Sequence, residues 1–347
     1  MEPESSAAGA NRDSTACRLG HVPALDGLRG VAVLLVLAVH ATGFPPGGHL
    51  GVDLFFVLSG FLITTLLLEE RADTGRLSLR DFYGRRARRL LPALVLLLAA
   101  YLTIDAAKGH DGLKTVALAG LYLGNAVQAF SQVNPLAHSG LEHLWSLAAE
   151  EQFYLLWPLL LLLIARSRQP LRNLGMVLGA LVLWRYLLFT GGASHHRLYN
   201  GPDTHADGLA IGAALAFLRE RNPAFTVSRT IATAGLGICV GALLLRHATP
   251  AWDAYGLPFA ETACAVVLIA GLTLPAWKTA LSWGVLVWFG RISYSLYLWH
   301  YMLMWAFDWR LRPLAAALAV AVAYVSTRWI EEPIRRHRPG LSRPAPA

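Results

Sequence analysis

Long apolar runs bounded by charge constrain this chain more than any other feature. "LLPALVLLLAAYLTI" (90–104) and "FYLLWPLLLLLIA" (153–165) approach the roughly 20 apolar residues that carry a helix across a bilayer. Similar runs recur along the whole sequence. Of its 347 residues, 55% are hydrophobic and 15% are charged, and the mean hydropathy is +0.45. A soluble domain carries about a quarter charged residues. The pattern predicts an all-α, polytopic integral membrane helix bundle over 23–335. Residues 1–22 read as a disordered cytoplasmic tail and 336–347 as a short cytoplasmic one. The first 20 residues contain no apolar core of the kind a signal peptide needs.

Eleven apolar segments lie near 28–44, 51–68, 90–106, 113–130, 148–165, 173–190, 207–218, 229–245, 257–275, 283–306 and 313–330. Loop charge selects which of them span. "RRARR" (85–89), "RSRQPLR" (166–172), "RERNP" (219–223) and "IRRHR" (334–338) all fall on the cytoplasmic side only if the fourth segment does not cross. About ten transmembrane helices are therefore expected, with the fourth segment re-entrant or interfacial and both termini cytoplasmic. The net charge of +8 then reads as positive-inside loops, not as a nucleic-acid surface. Three scattered cysteines, Cys17, Cys239 and Cys264, make neither a disulfide framework nor a zinc spacing.

Ionisable residues inside apolar helices are costly and mark function by default. "DGLRGVAVLLVLAVHATG" (26–43) carries two, Arg29 and His40. Eleven residues apart, they share one helical face, about 16 Å apart along the axis. Arginine suits a phosphate, and histidine suits proton transfer near neutral pH. The same two residues could also be a headgroup anchor and a packing histidine. In "GVDLFFVLSGFLIT" (51–64), Asp53 could orient a histidine, bind a substrate hydroxyl, or equally be an N-terminal charge favourable with the helix dipole, while Ser59 reads first as helix packing beside Gly60. In "DFYGRRARRLLPA" (81–93), Arg85, Arg86 and Arg89 could grip donor phosphates or anchor the helix, with Arg85 and Arg89 on one face. "LEHLWSLAAEEQFYLLWP" (141–158) offers His143, Ser146 and Glu150, with Glu150 a candidate to orient an imidazole. "YNGPDTHADGLAIGA" (199–213) holds Asp203, His205 and Asp207, which lack a metalloprotease spacing. Polar substrate contact by Asp207 is preferred there, and no metal is expected. "RISYSLYLWHYMLM" (291–304) contributes Tyr294 as a further candidate for substrate binding. No P-loop or G-x-S-x-G motif is present.

Taken together, "LDGLRGVAVLLVLAVH", "GVDLFFVLSGFLIT", "FYGRRARRLLPA", "HLWSLAAEEQFYLLWP", "DTHADGLAIGA", "RISYSLYLWH" and "WIEEP" resemble the motifs of the acyltransferase-3 family of membrane O-acyltransferases, in the family's order. The resemblance covers residues 24 to about 335. It implies transfer of an acyl group, often acetyl, from cytoplasmic acyl-CoA to a hydroxyl of a glycan, glycolipid or small molecule such as an antibiotic. It implies Arg29 and His40 as essential, Arg85, Arg86 and Arg89 as the cytoplasmic arginine motif, and Glu150 as an acidic partner. Some members continue into an SGNH-type esterase domain, which is not expected here. His40 is the expected general base, with a transient acyl-histidine as the alternative route. A transporter or flippase using the same polar residues is the competing function.

Overall fold

The computed structural model describes residues 19–131, 134, 136–245 and 249–336. Of the tails expected over 1–22 and 336–347, residues 1–18, with Cys17, and 337–347 lie outside the described residues. From Leu19 onward the chain is docked: the Leu19 amide donates to Glu69 at 2.7 Å.

Among the described residues the fold is all helical. Ten helices have at least 15 residues: α1 (Pro23–Thr42), α2 (Leu50–Thr74), α3 (Leu79–Ala107), α6 (Trp145–Arg166), α7 (Pro170–Thr190), α9 (Asp207–Arg221), α10 (Arg229–Leu244), α11 (Leu257–Thr273), α13 (Gly284–Ala306) and α14 (Arg312–Ser326). Short helices lie between them: α4 (Leu113–Gly120), α5 (Gly124–Phe130), α8 (His195–Asn200) and α12 (Pro275–Leu281), with α15 (Glu332–Arg336) last. Seven helical stretches, built on α1, α2, α3, α6, α7, α11 and α14, are long and apolar enough to cross a bilayer. This is a multi-pass membrane protein. The other three long helices, α9, α10 and α13, do not meet that measure of length and apolarity. α10 is apolar but only 16 residues, and α13 has 23 residues with Arg291, Tyr294, Tyr297 and His300 along it.

The fourth apolar segment does not span. It breaks into α4 and α5, of eight and seven residues, far shorter than a crossing requires. The break falls at Tyr122, whose φ is 56°. Its freed backbone groups are met by protein, as membrane depth demands. Gln152 on α6 donates to the Tyr122 carbonyl at 2.8 Å, and its amide exchanges two 2.9 Å hydrogen bonds with Asn125. With this segment folded back, α3 and α6 both place one end beside α13's C-terminal half. The basic stretches around residues 76–89, 166–172, 219–229 and 328–336 then gather at one end of the bundle, here the arginine end. His40, His49, His143 and His300 mark the other, the histidine end.

Lipid exerts no hydrophobic pressure between helices, so close packing through small residues holds such bundles together. α2 is the centre, with 78% of its most apolar stretch buried, against 11% for α7 at the rim. α1 lies against α13 at backbone contact. A Cβ on Gly290 would stand 1.8 Å from the Asp26 carbonyl oxygen, and one on Gly30 2.1 Å from that of Leu286. Gly60 on α2 plays the same part against Leu209 of α9. Cys239 and Cys264 are free and buried within the core around α2. Replacing Gly290 by leucine should separate α1 from α13 and lower stability by about 1–3 kcal/mol, the usual cost of overpacking. Thermal unfolding in detergent measures this, and an unchanged melting temperature would contradict the assigned contact.

Candidate active site

Three adjoining cavities run through the bundle along α1. The first, of about 470 Å³, opens at the arginine end and is walled by Arg29, Ser59, Glu69, Arg86, Arg89 and Tyr154. The second is a narrow passage of about 80 Å³ in mid-bundle. It shares Arg29, Ser59, Arg86, Arg89 and Tyr154 with the first and adds Ser146, Glu150, Ser293, Tyr294 and Tyr297. The third, of about 620 Å³, lies at the histidine end and is walled by His40, His49, Asp53, Glu142, His143, Trp145, His195, Tyr199 and Tyr301. It shares Val52 and Tyr297 with the passage.

At the arginine end the core stripe of α3 sets the geometry. Phe82, Leu90, Ala93, Leu94 and Leu97 are buried at helical spacing, and Arg86 and Arg89 continue that stripe inward. Arg86 pairs with Glu151 at 2.6 Å and lies 3.5 Å over the Tyr154 ring. Its buried Nε has no partner among the described residues. Arg29 and Arg89 line the same space, and neither forms an ion pair with a described residue. Three guanidinium groups thus converge with less than full compensation, which suits a polyanion. Arg85 differs from expectation. It lies off the stripe, half exposed, paired with Glu70 at 2.7 Å, and it walls none of these cavities. The inward pair on α3 is Arg86 with Arg89, not Arg85 with Arg89.

At the histidine end, His40 sits among three rings. Its ring centroid is 5.2 Å from that of His49, 5.1 Å from His300 and 5.1 Å from Tyr301. Its Nδ1 is 2.9 Å from the Val36 carbonyl and 3.2 Å from His300 Nε2. A carbonyl only accepts, so Nδ1 carries the hydrogen, and the lone pair of the neutral ring is on Nε2. His300 is fixed in turn, its Nδ1 donating to the Tyr297 carbonyl at 2.7 Å. The arrangement gives the neutral His40 ring a defined tautomer. Both ring nitrogens of the buried His143 lack partners among the described residues. That ring stacks on Tyr301, whose hydroxyl donates to Glu142 at 3.2 Å. Outside the spans, burial holds the pKa of His49 below its ordinary value, outweighing the pull of Asp53.

Glu150 was expected to orient an imidazole. It stands instead on the passage, accepting a 3.2 Å hydrogen bond from Tyr154, and does not wall the cavity that holds His40. The reason is distance along the helix: Glu150 lies seven residues beyond His143 on the continuous stretch Glu142–Arg166, about 10 Å away at the level of the passage. Val36 and His300 do the orienting. Ser59, Ser146 and Tyr294 line the passage, the last with its hydroxyl donating to the Leu90 carbonyl at 2.8 Å.

Asp53 and Asp207 belong to a buried charge cluster at the floor of the histidine-end cavity. Asp53 accepts from His205 Nε2 at 2.8 Å, while His205 Nδ1 is 2.6 Å from the Tyr199 carbonyl. Asp207, expected to touch substrate, is fully buried and pairs with Arg185 at 2.6 Å, walling none of the three cavities. Arg185 also donates to the Thr204 carbonyl. A lone arginine in "LVLWRYLL" was the sequence signal for this pair, and it needs a carboxylate at membrane depth. Asp53, His205 and Glu261 bring ligand atoms within 4.8 Å of one another. Both His205 nitrogens already face acceptor oxygens, so a metal could bind only by displacing a ring proton. The geometry is that of a buried Asp–His hydrogen bond.

Residues 22–330 match the model of the acyltransferase domain family, described as "Acyltransferase domain". The chain belongs to that family. It is 33% identical to the peptidoglycan O-acetyltransferase OatA of Listeria monocytogenes, over 91% of this chain and 56% of that protein. It is 36% identical to YrhL of Bacillus subtilis, named as a candidate peptidoglycan O-acetyltransferase, over 81% of this chain and 48% of that one. The chain thus spans about half the length of these relatives. No solved structure matches. Replacing Arg185 by methionine leaves Asp207 buried without its partner and should cost about 3–5 kcal/mol. Combining it with Asp207→Leu should recover most of that loss. Unfolding midpoints of the two variants in detergent decide it, and equal losses would remove the ion pair from the account.

Proposed function

We propose that this protein is a membrane O-acyltransferase that takes an acetyl group from acetyl-CoA at the arginine end and passes it to a hydroxyl of a cell-wall glycan at the histidine end. The single observation that carries this reading is the path itself. Three guanidinium groups and one tautomer-fixed imidazole stand on successive cavities, linked by α1 over about 16 Å. The relatives' names supply the peptidoglycan-type acceptor, and the basic loops favour a cytoplasmic arginine end, with both termini on that side.

In this reading the nucleotide phosphates meet Arg29, Arg86 and Arg89, while Arg85 stays outside on Glu70. The pantetheine arm enters the passage past Ser59, Glu150 and Tyr294. The acceptor occupies the wider cavity among Trp145, Tyr199, Tyr301 and the acids Asp53 and Glu142, a mixture that suits a sugar's faces and hydroxyls. His40 Nε2 takes the proton of the acceptor hydroxyl as its oxygen attacks the thioester carbonyl. The tetrahedral intermediate collapses, the C–S bond breaks, and the leaving thiolate recovers that proton from the imidazolium. His300 and the Val36 carbonyl hold the ring for both transfers.

His40→Ala should lower transfer by about 10²–10⁴-fold while the protein still reaches the membrane. The assay is release of free CoA by purified protein with a glycan acceptor, with mass spectrometry of the product. An active His40→Ala variant would remove the base assignment. CoA release also separates an acyltransferase from a transporter, which consumes no thioester. Arg86→Ala should raise the KM for acetyl-CoA by about 10–100-fold, as expected for a lost charge-assisted contact, with the acceptor KM little changed. Equal effects on both substrates would contradict a donor-phosphate role.

A further inference from the structure

The passage and the histidine-end cavity meet at one aromatic side chain. Tyr297 walls both spaces, and Val52 is the other residue common to their walls. On α13, Ser293, Tyr297 and Tyr301 recur every four residues, so one face of this helix follows the path from the passage to the wider cavity. The Tyr297 ring is held from several sides. Its hydroxyl donates to the His143 carbonyl at 2.9 Å and is hydrogen-bonded with Ser146. Its ring centroid lies 6.3 Å from that of Phe55, 5.3 Å from His143 and 5.5 Å from His300. The passage beneath has about 80 Å³, whereas the spaces on either side have about 470 and 620 Å³. A thioester arm coming from the arginines meets this ring before it meets His40.

We infer that Tyr297 is the specificity-determining residue of the reaction, a shutter that limits the size of the acyl group and keeps water in the wider cavity away from the thioester. The inference rests on the proposed donor path. An acetyl group passes with a small tilt of the ring, because it adds one methyl beyond the carbonyl. Each further methylene must displace the ring against Phe55, His143 and His300. The pocket's capacity to reject one methylene is about 10–200-fold. Breaking the hydrogen bonds to Ser146 and the His143 carbonyl is the other condition for passage. A donor carbonyl or amide in the passage can take up Ser146 as the shutter opens. Without donor, the shutter stays closed. The His40 proton circuit is then separated from the arginine end.

Two variants divide the claim. Tyr297→Ala removes the ring. The ratio of acetyl-CoA to butanoyl-CoA turnover should fall at least about tenfold from its wild-type value. Acceptor-independent hydrolysis should rise, with water forming the new C–O bond, the C–S bond breaking, and free CoA and carboxylate leaving. Tyr297→Phe keeps the ring and loses both hydrogen bonds. It should retain the acyl-length preference and show the increased hydrolysis alone. Helicity and monodispersity in detergent establish that each variant is folded, and the volume-conserving phenylalanine variant serves if the alanine one is not. An unchanged length preference in a folded alanine variant, or no rise in hydrolysis in the phenylalanine variant, overturns the shutter. A wild-type protein that releases no CoA from either donor overturns the donor reading itself, which is a separate result.

Discussion

The approach of α1 to α13 is the contact on which the site depends. Gly30 and Gly290 let the two backbones touch, with would-be Cβ atoms about 2 Å from facing carbonyl oxygens. At that separation His40 and His300 stand 3.2 Å apart, and Arg29 on the same face of α1 reaches the guanidinium cluster of α3. A wider crossing would part the two imidazoles. The carbonyl of Val36 and the ring of His300 would then no longer share the Nδ1 hydrogen that defines the His40 tautomer. A packing feature made of residues with no side chain thus sets the chemistry of the residue at the other end of the helix.

A second constraint shapes the surroundings. Charge at membrane depth has to be enclosed and paired, or must face a polar space. The structure uses both solutions. Asp207 with Arg185, and Asp53 with His205, are enclosed pairs that fix α2, α7 and α9 around the cavity floor. Glu331, buried at the end of the last span, accepts from Ser295. Arg29, Arg86 and Arg89 follow the other course and face a cavity. The broken fourth segment obeys the same rule for backbone groups, with Gln152 and Asn125 closing the break. That break allows the basic stretches around 76–89, 166–172, 219–229 and 328–336 to lie at one end.

The apolar runs and loop charges were enough to read a helical membrane bundle with one non-crossing segment, although seven helices, not the expected ten or so, are long and apolar enough to cross. Both follow from local hydropathy and from counting, which do not need a third dimension. The Arg29–His40 relation was legible for the same reason, since a continuous helix turns sequence spacing into distance and angle. The Arg85 and Glu150 readings came out differently because they depended on how a helix is rotated and at what level of the bundle a residue stands. Helical spacing puts Arg85 and Arg89 on one face, but the buried stripe through Phe82, Ala93 and Leu97 turns Arg86 inward instead. Glu150 stands about two turns further along α6 than the level of His143, so it meets the passage and not the cavity of His40.

The sequence alone determined the class of fold, the family resemblance and the identity of the ionisable residues held in apolar helices. Those depend on chemistry carried by consecutive residues. Only the tertiary structure decided which of these residues share a cavity. It placed His300 on His40 across 260 residues, assigned Asp207 to Arg185, and set Tyr297 between the arginines and the histidines. Such pairings arise between helices far apart in the chain, and they are fixed by crossing distance and helix rotation, quantities that no local pattern encodes.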